Sequence, residues 1–201
     1  MKLSIRFLNL CERARVIGLI CALACLTASC TSLIDATHKG PVADNLGKRP
    51  LGTRWNDEML ESKATVNIRS AHPRLKEANF RVTSFNGVVL LTGQIASKEI
   101  QNLAERTVHD LRGVRKVHNE LQISGPTSMV SRSNDAWLVT KIKTAMFVND
   151  ETDANRIKVV TENGVVYLLG LLTRDEADKA VEVSRSVYGV QKIVKVFEYI
   201  N

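Results

Sequence analysis

The sequence predicts an α+β chain of two tandem copies of one unit. Each copy runs helix–strand–strand–helix–strand, with a three-stranded mixed sheet packed on two helices. Three observations carry this. The phrase FNGVVLLTG at Phe85–Gly93 returns as ENGVVYLLG at Glu162–Gly170. Upstream, Asn56-Asp57 pairs with Asn134-Asp135, and downstream Gly113-Val114 pairs with Gly189-Val190 after a one-residue gap. A self-match that spans whole units marks an internal duplication.

The elements follow in order. A helix opens each unit, at Asp57–Arg69 and at Asp135–Phe147. In the second, Leu138, Ile142, Ala145 and Met146 recur at helical spacing, so this stripe should face the sheet. Phe80–Phe85 and Ile157–Glu162 alternate between apolar and polar residues, as half-buried strands do. Asn-Gly follows each at once, a strong hairpin signal because both residues tolerate positive φ. Val88–Ile95 and Val165–Leu172 read as more deeply buried strands, with Gly93 and Gly170 marking a bulge or a close approach.

A second helix comes next, at Ser97–Arg112 and at Thr173–Tyr188. Thr173 with Glu176 reads as a capping box, and Ser97 offers a similar start. Glu99 and Glu176 occupy matching places and read as third helical residues that complete caps. Gly113 and Gly189 end these helices. Val114–Ile123 and Val190–Ile200 supply the closing strands. The hairpin makes one antiparallel pair, and the helical crossover allows the last strand to run parallel to a neighbour.

The regions around the two units have their own character. A basic segment and thirteen mostly apolar residues, Val16–Ala28, lead the chain. That is the layout of a secretory signal, since a membrane span needs roughly 20 apolar residues. All four cysteines, Cys11, Cys21, Cys25 and Cys30, lie in or at the end of it, so the exported part has no disulfide framework. Thr27-Ala28-Ser29 before Cys30 resembles a lipobox, which makes Cys30 the expected lipid anchor, with Cys25 as the weaker candidate. Thr31 follows in place of an aspartate, which by that resemblance points to the outer membrane. Acyl chains hold because each buried methylene adds about 0.8 kcal/mol. The expected organisation is a signal over 1–29, an acylated terminus and tether over 30–54, a first domain over 55–123, a linker over 124–134 and a second domain over 135–201.

Composition and motifs exclude several functions. Net charge is +7, of which Lys2, Arg6, Arg13 and Arg15 against Glu12 place +3 in the signal, leaving +4. That mild excess, with aromatics at only 5% of residues, argues against nucleic acid as a partner. The histidines, His38, His72, His109 and His118, show no ligand spacing, so no metal or other cofactor is expected, and His109 and His118 read as solvated positions. No nucleophile elbow or phosphate-binding glycine loop is present, and an enzyme is not expected.

The helix NDAWLVTKIKTAMF is the informative segment. Trp137 falls outside the apolar stripe, beside Thr140, Lys141 and Thr144, as an indole would to enter a lipid headgroup boundary. Arg132, Lys141 and Lys143 are candidate helpers, each basic group near an anionic surface adding about 1 kcal/mol. The first unit provides a comparison. Met59 stands where Trp137 does, and Asn56–Ser70 carries Lys63 and Arg69 against Asp57, Glu58 and Glu61. The second helix is basic by contrast, so the second unit is the candidate for contact with anionic lipid.

The phrase NGVVxLxG, a helix, then GVRKV or GVQKI resembles the BON domain of bacterial envelope proteins. With a lipobox and a tether, the chain resembles the dual-BON outer-membrane lipoproteins, some of which carry older names as haemolysins or osmotically inducible proteins. The resemblance covers Cys30–Asn201. It implies a lipoprotein that binds anionic phospholipid, supports envelope integrity and is sorted to division sites. It also implies that the first helix of the second domain is the lipid-binding element, with Trp137 matching the family's tryptophan. The rival reading is a periplasmic adaptor for outer-membrane assembly or cell-wall remodelling proteins, because tryptophan is also a frequent hot-spot residue.

Overall fold

The computed structural model describes residues 47–125 and 128–201, which belong to one compact unit. Cys25 and Cys30 lie outside the described residues. The first repeat contains α1 (Leu51–Ala71), α2 (Pro73–Glu77), β1 (Asn79–Phe85), β2 (Val88–Ile95), α3 (Lys98–His109) and β3 (Lys116–Ile123). The second contains α4 (Met129–Val148), β4 (Ile157–Glu162), β5 (Val165–Leu172), α5 (Arg174–Ser186) and β6 (Lys192–Tyr199).

Each repeat forms a three-stranded sheet, in the orders β1-β2-β3 and β4-β5-β6. The hairpin pairs are antiparallel, and β2–β3 and β5–β6 are parallel. The mixed sheets on helices are therefore those the repeated pattern predicts. Asn86 and Asn163 take φ of 54° and 50°, and their glycines 75°, the left-handed pair that lets a two-residue turn follow the strand twist.

Alternation along the central strands then builds the core. Val89, Leu91 and Ile95 of β2 pack with Leu60, Ala64 and Ile68 of α1. Val166, Leu168 and Leu172 of β5 pack likewise with Leu138, Ile142 and Met146 of α4. The intervening residues point the other way, where Val88 and Leu90 meet Tyr167, Leu169 and Val196. The two sheets thus pack face to face, giving layers of helix, sheet, sheet and helix. Burial, then the carboxylates of Glu120 and Glu162, push the Tyr167 phenol up to about 12.

Polar contacts rim this apolar centre. Lys158 Nζ lies 2.7 Å from Glu61 Oε1, Arg115 Nη2 lies 2.7 Å from Glu198 Oε1, and the Asn86 amide donates to Glu198 at 2.8 Å. His118, read from the sequence as solvated, is instead half-buried on the side of β3 that faces the second sheet. It pairs opposite Leu90, and burial followed by the Lys116 charge lowers its pKa.

Local readings shift in five places. Helix α1 begins at Leu51, inside the stretch expected as a tether. There Arg49 pairs with Asp57 at 2.5 Å and stacks 3.6 Å from the Phe85 ring centroid. Helix α4 begins at Met129, inside the expected linker, where the Ser128 hydroxyl accepts from the Ser131 N–H at 3.1 Å. Glu176 closes its capping box with Thr173, but Glu99 is only the second residue of α3, and Ser97 caps through the Ile100 N–H alone. Gly113 and Gly189 sit beyond the helix ends at His109 and Ser186, in the turns that lead to the last strands. No bulge accompanies Gly93, since the β1–β2 register is continuous through Phe80↔Gly93.

Candidate functional site

Helix α4 presents two sides because its sequence has two stripes. Leu138, Ile142 and Met146 are buried against β4 and β5, as their spacing requires. Trp137 therefore points outward and is 64% exposed. At about 100° per residue, Thr140, Lys141, Thr144, Phe147, Val148 and Val130 all lie within about 80° of it around the helix. Val130, Phe147 and Val148 are exposed apolar side chains, so the outer face carries an apolar stripe along the whole helix, interrupted by the two threonines. The Thr140 hydroxyl donates back to the Ala136 carbonyl oxygen at 3.3 Å, and Thr144 is exposed.

Beside this stripe is an open groove of about 480 Å³, whose lining includes Trp137, Leu138, Lys141, Asn163, Tyr188 and Gln191. Its far lip is Tyr188, which is 92% exposed at the turn after α5. Lys141 bridges the two sides: its ammonium donates to the Tyr188 carbonyl oxygen at 2.7 Å and lies 5.9 Å from the tyrosine ring. Two amphipathic rings and one partly exposed ammonium thus converge on one surface, the combination that suits a boundary between apolar and anionic matter.

The other two basic candidates lie elsewhere. Lys143, about 120° around the helix from Trp137, turns toward the protein. It donates to the carbonyl oxygens of Ala154 at 2.5 Å and Ile157 at 2.6 Å. Burial lowers its pKa, with the nearby Asp153 charge opposing. Lys143 therefore ties the loop before β4 to the helix. Arg132, about 140° from Trp137 in the same sense, lines a cleft between the repeats with Phe80, Arg81 and Glu162. Trp137, Thr140, Lys141 and Thr144 are brought together; Lys143 and Arg132 are not.

Tyr188 escaped the sequence reading, although a signal for it existed. It precedes Gly189, as Arg112 precedes Gly113 in the first repeat. The equivalent groove there is lined by Met59, Lys63, Arg112 and Arg115, so both aromatic positions are lost together. Among the described residues, no group of three or more His, Cys, Asp and Glu side chains is placed to hold a metal ion. No described helix is long and apolar enough to cross a membrane.

Comparison with known proteins finds relatives of both repeats. A family model described as BON domain matches residues 56–125 and again 134–201. Outer membrane lipoprotein DolP of Haemophilus influenzae is 36% identical over 153 residues, spanning 76% of this chain and 79% of its own length. The 21 kDa hemolysin of Actinobacillus pleuropneumoniae matches with the same identity and coverage. Osmotically-inducible protein Y of Escherichia coli is 25% identical over 141 residues, 67% of this chain and 70% of its own. The C-terminal domain of CdsD, a type III secretion protein of Chlamydia trachomatis, aligns over 72% of this chain and 67% of its own with 15% identity. Its TM-score of 0.28 is too low to bear on the layout.

Proposed function

The chain belongs to the BON-domain family, and from that premise we propose that it is a non-enzymatic outer-membrane lipoprotein, anchored at Cys30 and facing the periplasm, that docks on anionic phospholipid through α4. The single observation that carries the reading is the outward stripe of α4, Val130, Trp137, Phe147 and Val148, flanked by Lys141 and Tyr188. Those apolar side chains are 64–77% exposed, and their neighbours suit a headgroup layer.

Anchoring supports a modest contact of this kind. Once Cys30 is held in the leaflet, docking of α4 becomes intramolecular and its effective concentration high. The name of the Haemophilus relative supports the outer membrane as the site. Preference for anionic lipid would then sort the protein laterally and serve envelope integrity, including at division sites.

Flotation tests the proposal. Residues 31–201, which include the compact body, are mixed with vesicles of zwitterionic or of anionic phospholipid. Flotation several-fold stronger with anionic vesicles, and greatly reduced by Trp137→Glu, is the expected result. Equal flotation on both compositions, or undiminished flotation of the variant, sinks the docking site. Capture of an envelope protein that Trp137→Glu abolishes, with no lipid binding at all, would replace it with the adaptor reading.

A further inference from the structure

Helix α1 of the first repeat carries an outward face that the charge count of its sequence conceals. Leu51, Trp55, Met59 and Val66 are all exposed, Leu51 at 81% and Trp55 at 66%. At about 100° per residue they fall within about 80° of one another, a single stripe on the side turned from the sheet. Ser62 sits in the middle of it and is also exposed. The stripe resembles that of α4 in having one indole, three further apolar side chains and a small hydroxyl residue among them.

Two of the three acids that made α1 look unsuited to an anionic surface are turned away from this face. Asp57 is buried and paired with Arg49. Glu61 is held by Lys158 of the second repeat at 2.7 Å and accepts the Ser84 N–H at 2.8 Å. That leaves exposed Arg54, Lys63 and Arg69 against Glu58 alone, an excess of two positive charges on the solvent side. Arg69 donates to the Lys76 carbonyl oxygen at 2.9 Å while its guanidinium remains exposed. With Arg54 included, the outer face of α1 is thus positive, although the acids outnumber the bases over Asn56–Ser70.

We propose that α1 is a second docking face for anionic phospholipid, centred on Trp55 and on the opposite side of the layered body from α4, so that the leaflet meets one of the two helices at a time. The inference rests on the reading of α4 and of Cys30 as an anchor. Its occupant follows from charge and from chain length. The exposed cations match anionic headgroups, and only residues 31–50 separate Cys30 from the start of α1. At about 3.5 Å per residue, those residues hold Leu51 within about 70 Å of the acyl chains. That range keeps this basic, tryptophan-bearing helix within reach of the bilayer in which Cys30 is held.

The exported chain is free of cysteine after Cys30, which makes a one-position probe direct. Residues 31–201 carrying Ser62→Cys are labelled with an environment-sensitive fluorophore, and a second sample carries the label through Thr144→Cys on α4. Phosphatidylglycerol vesicles should blue-shift the Ser62 label and brighten it several-fold, with a smaller response to phosphatidylcholine. The shift should persist with Trp137→Glu and disappear with Trp55→Glu. Because Trp55 is exposed, folding should survive, and Met59→Gln with Val66→Gln provides an independent variant that should also weaken the shift. A silent Ser62 label beside a responding Thr144 label overturns this inference and leaves the α4 reading standing. Silence at both positions overturns both. A Ser62 shift that grows with protein concentration in the absence of vesicles also overturns it, in favour of pairing between two copies of the chain.

Discussion

The Asp57 carboxylate accepts the backbone N–H of Gly87 at 3.0 Å with one oxygen, while its other oxygen accepts the Asn86 N–H at 2.8 Å. Asp135 does the same for Gly164 at 2.9 Å and Asn163 at 2.8 Å. The Asn-Asp and Asn-Gly pairs that align the repeats are therefore in contact within each one, where the opening helix pins the hairpin turn. Asp57→Ala should destabilise the fold by about 3 kcal/mol, because it leaves two backbone donors without their charged acceptor. Chemical denaturation would measure this.

The same carboxylate sets a limit on acid stability. Burial raises the Asp57 pKa, but the hydrogen bonds from Gly87, Ser84, Asn86 and Arg49 outweigh it and hold it below 3.8. A depressed folded-state pKa contributes stability that is present above about pH 4, the unfolded value, and is lost as pH falls through the folded value. The unfolding midpoint of the wild-type chain should therefore drop below pH 4 more steeply than that of Asp57→Asn. Parallel pH profiles would contradict this role.

The two strand glycines look equivalent in sequence and are not. A Cβ at Gly93, whose φ is 122°, would overlap the Asn79 carbonyl oxygen across the hairpin. At Gly170 the nearest atom, the Arg156 carbonyl oxygen, is 3.0 Å away, and no positive φ is required. Gly93→Ala should cost at least about 2 kcal/mol and Gly170→Ala distinctly less. Paired melting curves would check the order.

These contrasts show what the sequence made legible. Strands, hairpins and the topology of each repeat were readable because periodicity and Asn-Gly turns are local properties. The start of α1 at Leu51 was not, because Pro50 and Gly52 read as tether, while contacts of Arg49 with Asp57 and Phe85 fold that stretch onto the body. The packing of sheet on sheet was only hinted at by the unbroken apolar run of β5. On α4, the exposure of Trp137 was readable from its wheel position. Lys143, about 120° away on the same wheel, was grouped with it on charge, and its bonds to the carbonyl oxygens of Ala154 and Ile157 are tertiary contacts that no wheel registers.

If the sheets share one core, the repeats should unfold together. Tyr167 is fully buried there with Leu90 and Leu169. Tyr167→Ala should cost about 3–5 kcal/mol, as truncating a buried aromatic does. Wild type should show one urea transition, seen identically by Trp55 and Trp137 fluorescence in single-tryptophan variants. The Tyr167→Ala variant should separate the two probes, and coincident curves in that variant would argue that the repeats couple through their rim contacts instead.

Lys141 and Lys143 are two residues apart and should separate stability from binding. Lys143 holds two carbonyl oxygens inside the fold, so Lys143→Ala should lose about 1–3 kcal/mol of stability. It should leave vesicle flotation of the folded protein nearly unchanged. Lys141 donates to the exposed Tyr188 carbonyl at the lip of the groove, so Lys141→Ala should cost little stability and weaken binding to anionic vesicles several-fold. Tyr188→Ser should weaken binding too, with an effect on zwitterionic vesicles as well, because it removes apolar surface rather than charge. If Lys143→Ala reduced flotation as much as Lys141→Ala at equal stability, the docking surface would have to extend to the β4 side of α4, where the structure places only interior contacts.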